Sequence, residues 1–213
     1  MSDEQTARSE LVAAYRQVAA LGLNQLASGN LSVRFQAGML ISPTGASAET
    51  LTEAGLVYVD GEGRWAAGAR PSSEWQMHTA IYREVPGANA VVHTHSDYCV
   101  AVACQNRPLP GFHYLIGLFG GEDVPCVPYS TFGGEELAEA AAAALRHRKA
   151  CLLANHGMIA QASTLKGAVG LAQRLEIMCR QYVLACQLGE PTLLTQTHWH
   201  EFFDRVTQAS YRN

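Results

Sequence analysis

The sequence predicts a layered α/β domain. Three observations predict it. Helix-spaced and short β-type apolar runs interleave along all 213 residues, Gly, Pro, Ser and Asp clusters separate them, and no repeat or low-complexity segment interrupts them. With 48% hydrophobic residues and no linker-like stretch, the chain buries one substantial core and is read as one domain over 1–213.

Each element has its own signal. Ser2 followed three residues later by Gln5 is a capping-box pattern, and Ala7, Leu11, Ala14, Tyr15 and Val18 recur at helical spacing until Gly22 stops the helix. Leu31 to Phe35, Met39 to Ile41 and Leu56 to Val59 are β-type runs, and Asp60-Gly61-Glu62-Gly63 supplies a turn before Arg64-Trp65. Ser73 is the expected N-cap of a helix that carries Gln76 at its third position and repeats Ala80, Ile81 and Val85. Ala90 to His93 reads as a buried strand, Ser96 to Cys104 as a helix and Asp123 to Val127 as a further strand. Gly134 to His147 is an alanine-rich helix, and Ala150 to Ala154 and Met158 to Gln161 are strands. Thr164 caps a long helix to Leu188 that Gly189 and Pro191 end, and Thr197 to about Ala209 forms the last helix.

Composition excludes several functions. Charged residues are 16%, the net charge is -4 and the basic residues are scattered, so no footprint for nucleic acid is present. The acidic start Met1-Ser2-Asp3-Glu4 is unlike a secretory signal, and no apolar run is long enough to span a bilayer, so a soluble cytoplasmic protein is expected. The six cysteines show no C-x-x-C spacing and lie in apolar surroundings, as buried thiols do, which disfavours disulfides and a cysteine-type zinc site. Cys179 and Cys186 share a helical face with Leu175, Tyr182 and Val183 that reads as core.

Chemistry concentrates in the histidines. His93-Thr94-His95 ends an apolar strand, where residues two apart point to one side, so both imidazoles can face one ion. His156 follows the second apolar strand, and the two strand ends can converge. Three histidines with an open position suit a catalytic divalent ion, and imidazole ligands favour zinc over magnesium or calcium. His78, His147, His198 and His200 read as ordinary core or surface residues; His198 and His200 fall in a helix, where two apart means nearly opposite faces.

Three small polar loops, Ser28-Gly29-Asn30, Ser42-Pro43-Thr44-Gly45 and Pro71-Ser72-Ser73, offer hydroxyls and backbone N–H groups to an anion such as phosphate. Each taken singly reads more often as just a turn or a helix cap. No G-x-x-x-x-G-K loop is present, which disfavours nucleotide hydrolysis. Glu74 is expected one residue inside the helix that Ser73 caps, where the dipole stabilises a carboxylate.

In order along the chain, Ser28 to Arg34, Ser42 to Gly45, Pro71 to Glu74, Val91 to Ser96 and Asn155-His156-Gly157 resemble the class II aldolase/adducin family. Gly111 to Tyr114, Val124 to Tyr129 and Thr131-Phe132-Gly133 resemble the central region of its aldolases. The resemblance implies a three-layer α/β/α fold with a central mixed, largely antiparallel sheet, and a homotetramer with active sites at subunit interfaces. It implies one Zn2+ per subunit on His93, His95 and His156, with Glu74 as catalytic acid/base and possible fourth ligand. It places Asn30, Thr44, Gly45, Ser72 and Ser73 at the phosphate of a sugar-phosphate substrate. It gives Tyr114, and in the tail Tyr211, to a neighbouring subunit's site. The implied reaction cleaves a deoxyketose 1-phosphate to dihydroxyacetone phosphate and a short aldehyde. Lys149 and Lys166, the only lysines, lie outside these motifs, which disfavours a Schiff base. Rival chemistries of the family are epimerisation, dehydration and decarboxylation of sugar phosphates, and a rival of another class is a metal-free, adducin-like interaction module. Related epimerases tend to carry aspartate where this chain has Glu74, and the aldolases carry glutamate.

Overall fold

The computed structural model describes residues 3–25 and 28–209. The helices are α1 (Glu4–Ala20), α2 (Trp75–Glu84), α3 (Asp97–Ala103), α4 (Glu135–Leu145), α5 (Leu165–Gln187) and α6 (Gln196–Gln208). The strands are β1 (Asn30–Phe35), β2 (Gly38–Ile41), β3 (Val57–Val59), β4 (Ala90–Thr94), β5 (Cys126–Val127), β6 (Ala150–Leu153) and β7 (Gly157–Ala162). They form one seven-stranded sheet in the order β3-β2-β1-β4-β7-β6-β5. Every pairing is antiparallel except β5 with β6.

Side chains alternate across each strand, and the sheet thereby feeds two cores. Leu31, Leu40, Val92, Leu152 and Met158 pack on one face with Leu11 and Tyr15 of α1, Val102 of α3 and Leu175 of α5. Met39, Ile41, Val91, Leu153 and Ile159 pack on the other with Met77 and Ile81 of α2 and Leu137 and Ala141 of α4. The architecture is the expected three-layer α/β/α fold around a mixed, largely antiparallel sheet.

Several expectations need correction. Helix α1 has Asp3 in the N-cap position with no side-chain cap bond, and Ser2 lies outside the described residues. Of the run Asp123–Val127 only Cys126 and Val127 form a strand, while Val124 bridges Leu109; Pro125 between them has no N–H to continue a ladder. The turn expected at Asp60–Gly63 is present, with the Asp60 carboxylate accepting from the N–H groups of Glu62 and Arg64, and no strand follows it at Arg64-Trp65. Cys104 and Cys186 are exposed rather than buried; the last turns of α5 run past the core, where Leu188 is 93% exposed. A 3-10 helix, Tyr114–Phe119, was not anticipated.

Candidate metal centre and active site

The register of the sheet sets the site. Asn30 of β1 lies opposite His93 of β4, and Ser32 opposite Val91. Val91 belongs to the core beneath α2 and α4, so Asn30, Ser32 and His93, which share its parity, face that same side. Both β4 and β6 run antiparallel to β7, so their C-terminal ends meet at one edge of the sheet. His156 sits there, in the tight turn that joins β6 to β7, and its N–H donates to the Leu153 carbonyl at 3.0 Å. A Cβ on Gly157 would stand 2.4 Å from the Thr94 carbonyl oxygen and 3.0 Å from the His95 ring, so only glycine lets this turn reach the end of β4.

Among the described residues, Glu74, His93, His95 and His156 bring one ligand atom each within 4.8 Å of one another. His93 Nε2 is 2.9 Å from His95 Nε2 and 3.0 Å from Glu74 Oε2, and His156 Nε2 is 3.3 Å from Glu74 Oε1. His93 Nδ1 donates to the Met158 carbonyl at 2.8 Å, which turns the lone pair of Nε2 toward the cluster. Burial, then the neighbouring imidazoles, push His95 and His156 down to about 4, into the neutral form that ligates metals. Glu74 Oε1 is buried with no hydrogen-bond partner. Acceptor atoms this close call for a positive charge among them; a proton satisfies one pair, whereas a divalent ion satisfies all four. Four donors around a tetrahedral ion at 2.0–2.1 Å would stand about 3.3 Å apart, close to the spacing found. The donor set therefore fits a divalent metal.

Glu74 corrects one expectation. Helix α2 begins at Trp75, with Glu74 rather than Ser73 in the N-cap position and no side-chain cap bond. Ser72 accepts the Glu74 N–H on its hydroxyl at 3.3 Å, which frees the carboxylate to turn away from the helix and onto the imidazoles. Burial alone would raise the Glu74 carboxyl, but His93, then His156 and the Asn30 amide, outweigh it and hold it well below the usual carboxylate range.

The three polar loops are zipped together. Leu31 N–H donates to the Ser42 hydroxyl at 3.2 Å, Ser72 N–H to the Ser42 carbonyl at 3.1 Å and Thr44 N–H to the Arg70 carbonyl at 3.1 Å. Ser72 is buried, while Thr44, Gly45 and Ser73 are exposed. Ser28 and Ser73 line a cavity of about 360 Å³ with Glu74, His95, Tyr129, Ser130, Phe132, Asn155 and His156. Asn30 is committed at both ends of its carboxamide, donating from Nδ2 to Glu74 Oε2 at 3.0 Å and meeting His78 Nε2 with Oδ1 at 2.6 Å.

Other residues lie apart or were missed. Tyr114 is 54% exposed, stacks on His113 and is not among the residues lining the cavity. Tyr211 lies outside the described residues. His198 spends Nδ1 on the Thr195 N–H, and the buried Trp199 follows it in α6, so His198 and His200 form no pair. Tyr129, Ser130 and Asn155 carried no signal beyond loop composition and motif order. His78 was read as an ordinary core histidine; it is fully buried and linked to Glu74 through Asn30.

Residues 9–183 match the family model described as Class II Aldolase and Adducin N-terminal domain. The L-fuculose phosphate aldolase of Escherichia coli O6:H1 strain CFT073 is 49% identical over 171 residues, 80% of each chain. The 5-methylthioribulose-1-phosphate/5-deoxyribulose-1-phosphate aldolase of Rhodospirillum rubrum is 47% identical over 187 residues, 88% of this chain and 85% of its own. A solved L-fuculose 1-phosphate aldolase superposes with a TM-score of 0.89 at 34% identity, covering 95% of this chain and 96% of that one. The extent of the family match and the breadth of these likenesses agree, and the chain belongs to the class II aldolase and adducin family, as one of its aldolases.

Proposed function

We propose that this chain is a zinc-dependent aldolase that cleaves L-fuculose 1-phosphate, or a similar deoxyketose 1-phosphate, to dihydroxyacetone phosphate and a short aldehyde such as L-lactaldehyde. The observation that carries the reading is the Glu74 carboxylate, set 3.0 Å from His93 Nε2 and 3.3 Å from His156 Nε2 on the wall of a cavity. His93, His95 and His156 hold the ion, and three imidazoles favour zinc. When bound, such an ion supplies Lewis acidity toward a carbonyl and the hydroxyl beside it. As the C3–C4 bond breaks, the C4 hydroxyl gives its proton to a base of the site and becomes the oxygen of the departing aldehyde, the bonding electron pair stays with the C1–C3 fragment, and Glu74, protonated in exchange, delivers a proton to C3 to complete dihydroxyacetone phosphate.

Asn30, Thr44, Gly45, Ser72 and Ser73 are assigned to the substrate phosphate; the convergence of their loops beside Glu74 supports this. Tyr114, exposed and off its own chain's cavity, is assigned to a neighbouring subunit's site in a homotetramer, where its phenol exchanges the proton of the aldehyde oxygen. The Rhodospirillum rubrum relative favours a second reading for the aldehyde half, that of a 5-deoxy or 5-methylthio pentulose 1-phosphate.

The test is to incubate zinc-loaded protein with a panel of ketose 1-phosphates and 5-phosphates and identify products by NMR. Dihydroxyacetone phosphate is the expected product. An epimer, a dehydrated sugar or carbon dioxide would transfer the chain to another chemistry of the family.

A further inference from the structure

Behind Glu74 and Asn30 runs a line of buried polar side chains, and the reaction gives its members beyond Asn30 no part. Asn30, His78, Ser32 and Tyr82 are 4%, 0%, 0% and 6% exposed. Asn30 Nδ2 is 3.0 Å from Glu74 Oε2, Asn30 Oδ1 is 2.6 Å from His78 Nε2, and Ser32 Oγ is 2.6 Å from His78 Nδ1 and 2.8 Å from the Tyr82 hydroxyl.

One end of the line fixes the direction of every bond. A carboxylate only accepts, so Asn30 turns its NH2 to Glu74 and its oxygen to His78. An amide oxygen also only accepts, so His78 carries its proton on Nε2 and a lone pair on Nδ1. The Ser32 hydroxyl then donates to Nδ1, and the Tyr82 hydroxyl donates to Ser32. Any reversal leaves two buried acceptors or two buried donors facing each other, at a cost of about 1–3 kcal/mol per unsatisfied group.

The geometry points to His78 as a positioning residue: by holding the Asn30 carboxamide in one orientation, it anchors Oε2 of Glu74 and leaves Oε1 as the oxygen that moves the proton. The inference rests on the reading of Glu74 as acid/base. Three features support it. Oε1 is buried with no hydrogen-bond partner, 3.3 Å from His156 Nε2, and Glu74 lines the cavity. Burial drives His78 down to about 3, so the ring is neutral and its two nitrogens stay distinct. A carboxamide does not relay protons, so the line orients Glu74 without feeding it. A histidine buried only for the fold would set stability and nothing else.

The test compares zinc-loaded wild type, His78→Phe and His78→Gln. Phe removes the donor to Asn30, whereas the Gln amide can still donate to it. For His78→Phe, kcat on the ketose 1-phosphate is expected to fall about 10–100-fold, with KM and zinc stoichiometry within about three-fold of wild type. His78→Gln should recover most of that loss. Should His78→Phe not fold, Tyr82→Phe, which removes the far donor, is expected to show a smaller fall in kcat at constant KM. In wild type, 15N-edited NMR of the imidazoles should report the Nε2–H tautomer for His78. An Nδ1–H tautomer, an unchanged kcat in His78→Phe, or equal impairment of the Phe and Gln variants overturns the inference. A wild type that cleaves no ketose 1-phosphate brings down the proposed function instead, and the tautomer still decides how the line is directed.

Discussion

Glutamine at position 74 keeps the length of the side chain and removes only its capacity to carry a proton. Glu74→Gln is therefore expected to retain fold and zinc, because three imidazoles remain, while kcat falls by roughly 10²–10⁴. Zinc by elemental analysis and initial rates on the cleaved sugar phosphate check this; undiminished cleavage would remove Glu74 from the chemistry. A second residue-scale expectation concerns acid. His78 titrates near 6.5 when unfolded and near 3 when folded, so the unfolded chain takes up its proton first as pH falls. Its share of stability is complete above 6.5 and drains away between 6.5 and about 3. His95 and His156, pushed down to about 4, act in the same direction. The urea midpoint of metal-free protein should thus fall as pH drops from 6.5 to 4, and less steeply in His78→Gln; a level midpoint across that window would contradict it. The convergence of His93 and His95 was legible because a strand's period of two puts them on one side. His78 was not legible, because its meaning depends on which β1 side chains stand opposite it, Asn30 and Ser32, and that is set by sheet register.

At the scale of elements, α3 is capped by another helix. The Glu176 carboxylate of α5 accepts the N–H groups of Tyr98 and Cys99 at 3.0 and 2.9 Å, directly after His95 and Ser96. Glu176→Ala strands two N–H groups at a helix start and should cost roughly 1–3 kcal/mol. Urea denaturation would measure the loss, and faster hydrogen exchange at amides 98 and 99 would locate it. Gly157→Ala is expected to weaken zinc binding by roughly ten-fold or more, since its methyl group would enter the space of the Thr94 carbonyl and push the β6–β7 turn off β4. Calorimetric zinc titration against wild type decides it. Most elements were legible from apolar periodicity, as in α1, β4 and α5. The start of α2 was not: serine is the commoner cap, but at Ser73 that preference loses to the Ser72 hydroxyl and the pull of the imidazoles on Glu74. The 3-10 helix Tyr114–Phe119 escaped because its short apolar run has no period long enough to read.

At the scale of the whole molecule, the two cores follow from alternation along β4 and β7, but their assembly order, with β4 between β1 and β7, carried no local signal. Assembly of subunits is a further step. If Tyr114 serves a neighbour's site, hybrids of Glu74→Gln and Tyr114→Phe subunits contain some sites with both wild-type residues. Co-refolded mixtures should then be more active than either parent, measured beside mass by light scattering; additive activity in a confirmed oligomer would confine Tyr114 to its own chain. The cluster of Glu74, His93, His95 and His156 is built on sheet register, the start of α2 and a strand turn, whereas Tyr129, Ser130 and Phe132 hang from the connection between β5 and α4. These parts are free to diversify separately. A lineage can exchange the wall that meets the variable half of a substrate and leave the bond-breaking apparatus untouched. Such a division accommodates relatives of nearly equal identity whose names carry different sugars, 49% for the fuculose enzyme and 47% for the ribulose one. For this chain, an exchange of residues 129–132 with those of a relative is expected to shift which sugar phosphate is accepted and to leave the four-residue cluster in place.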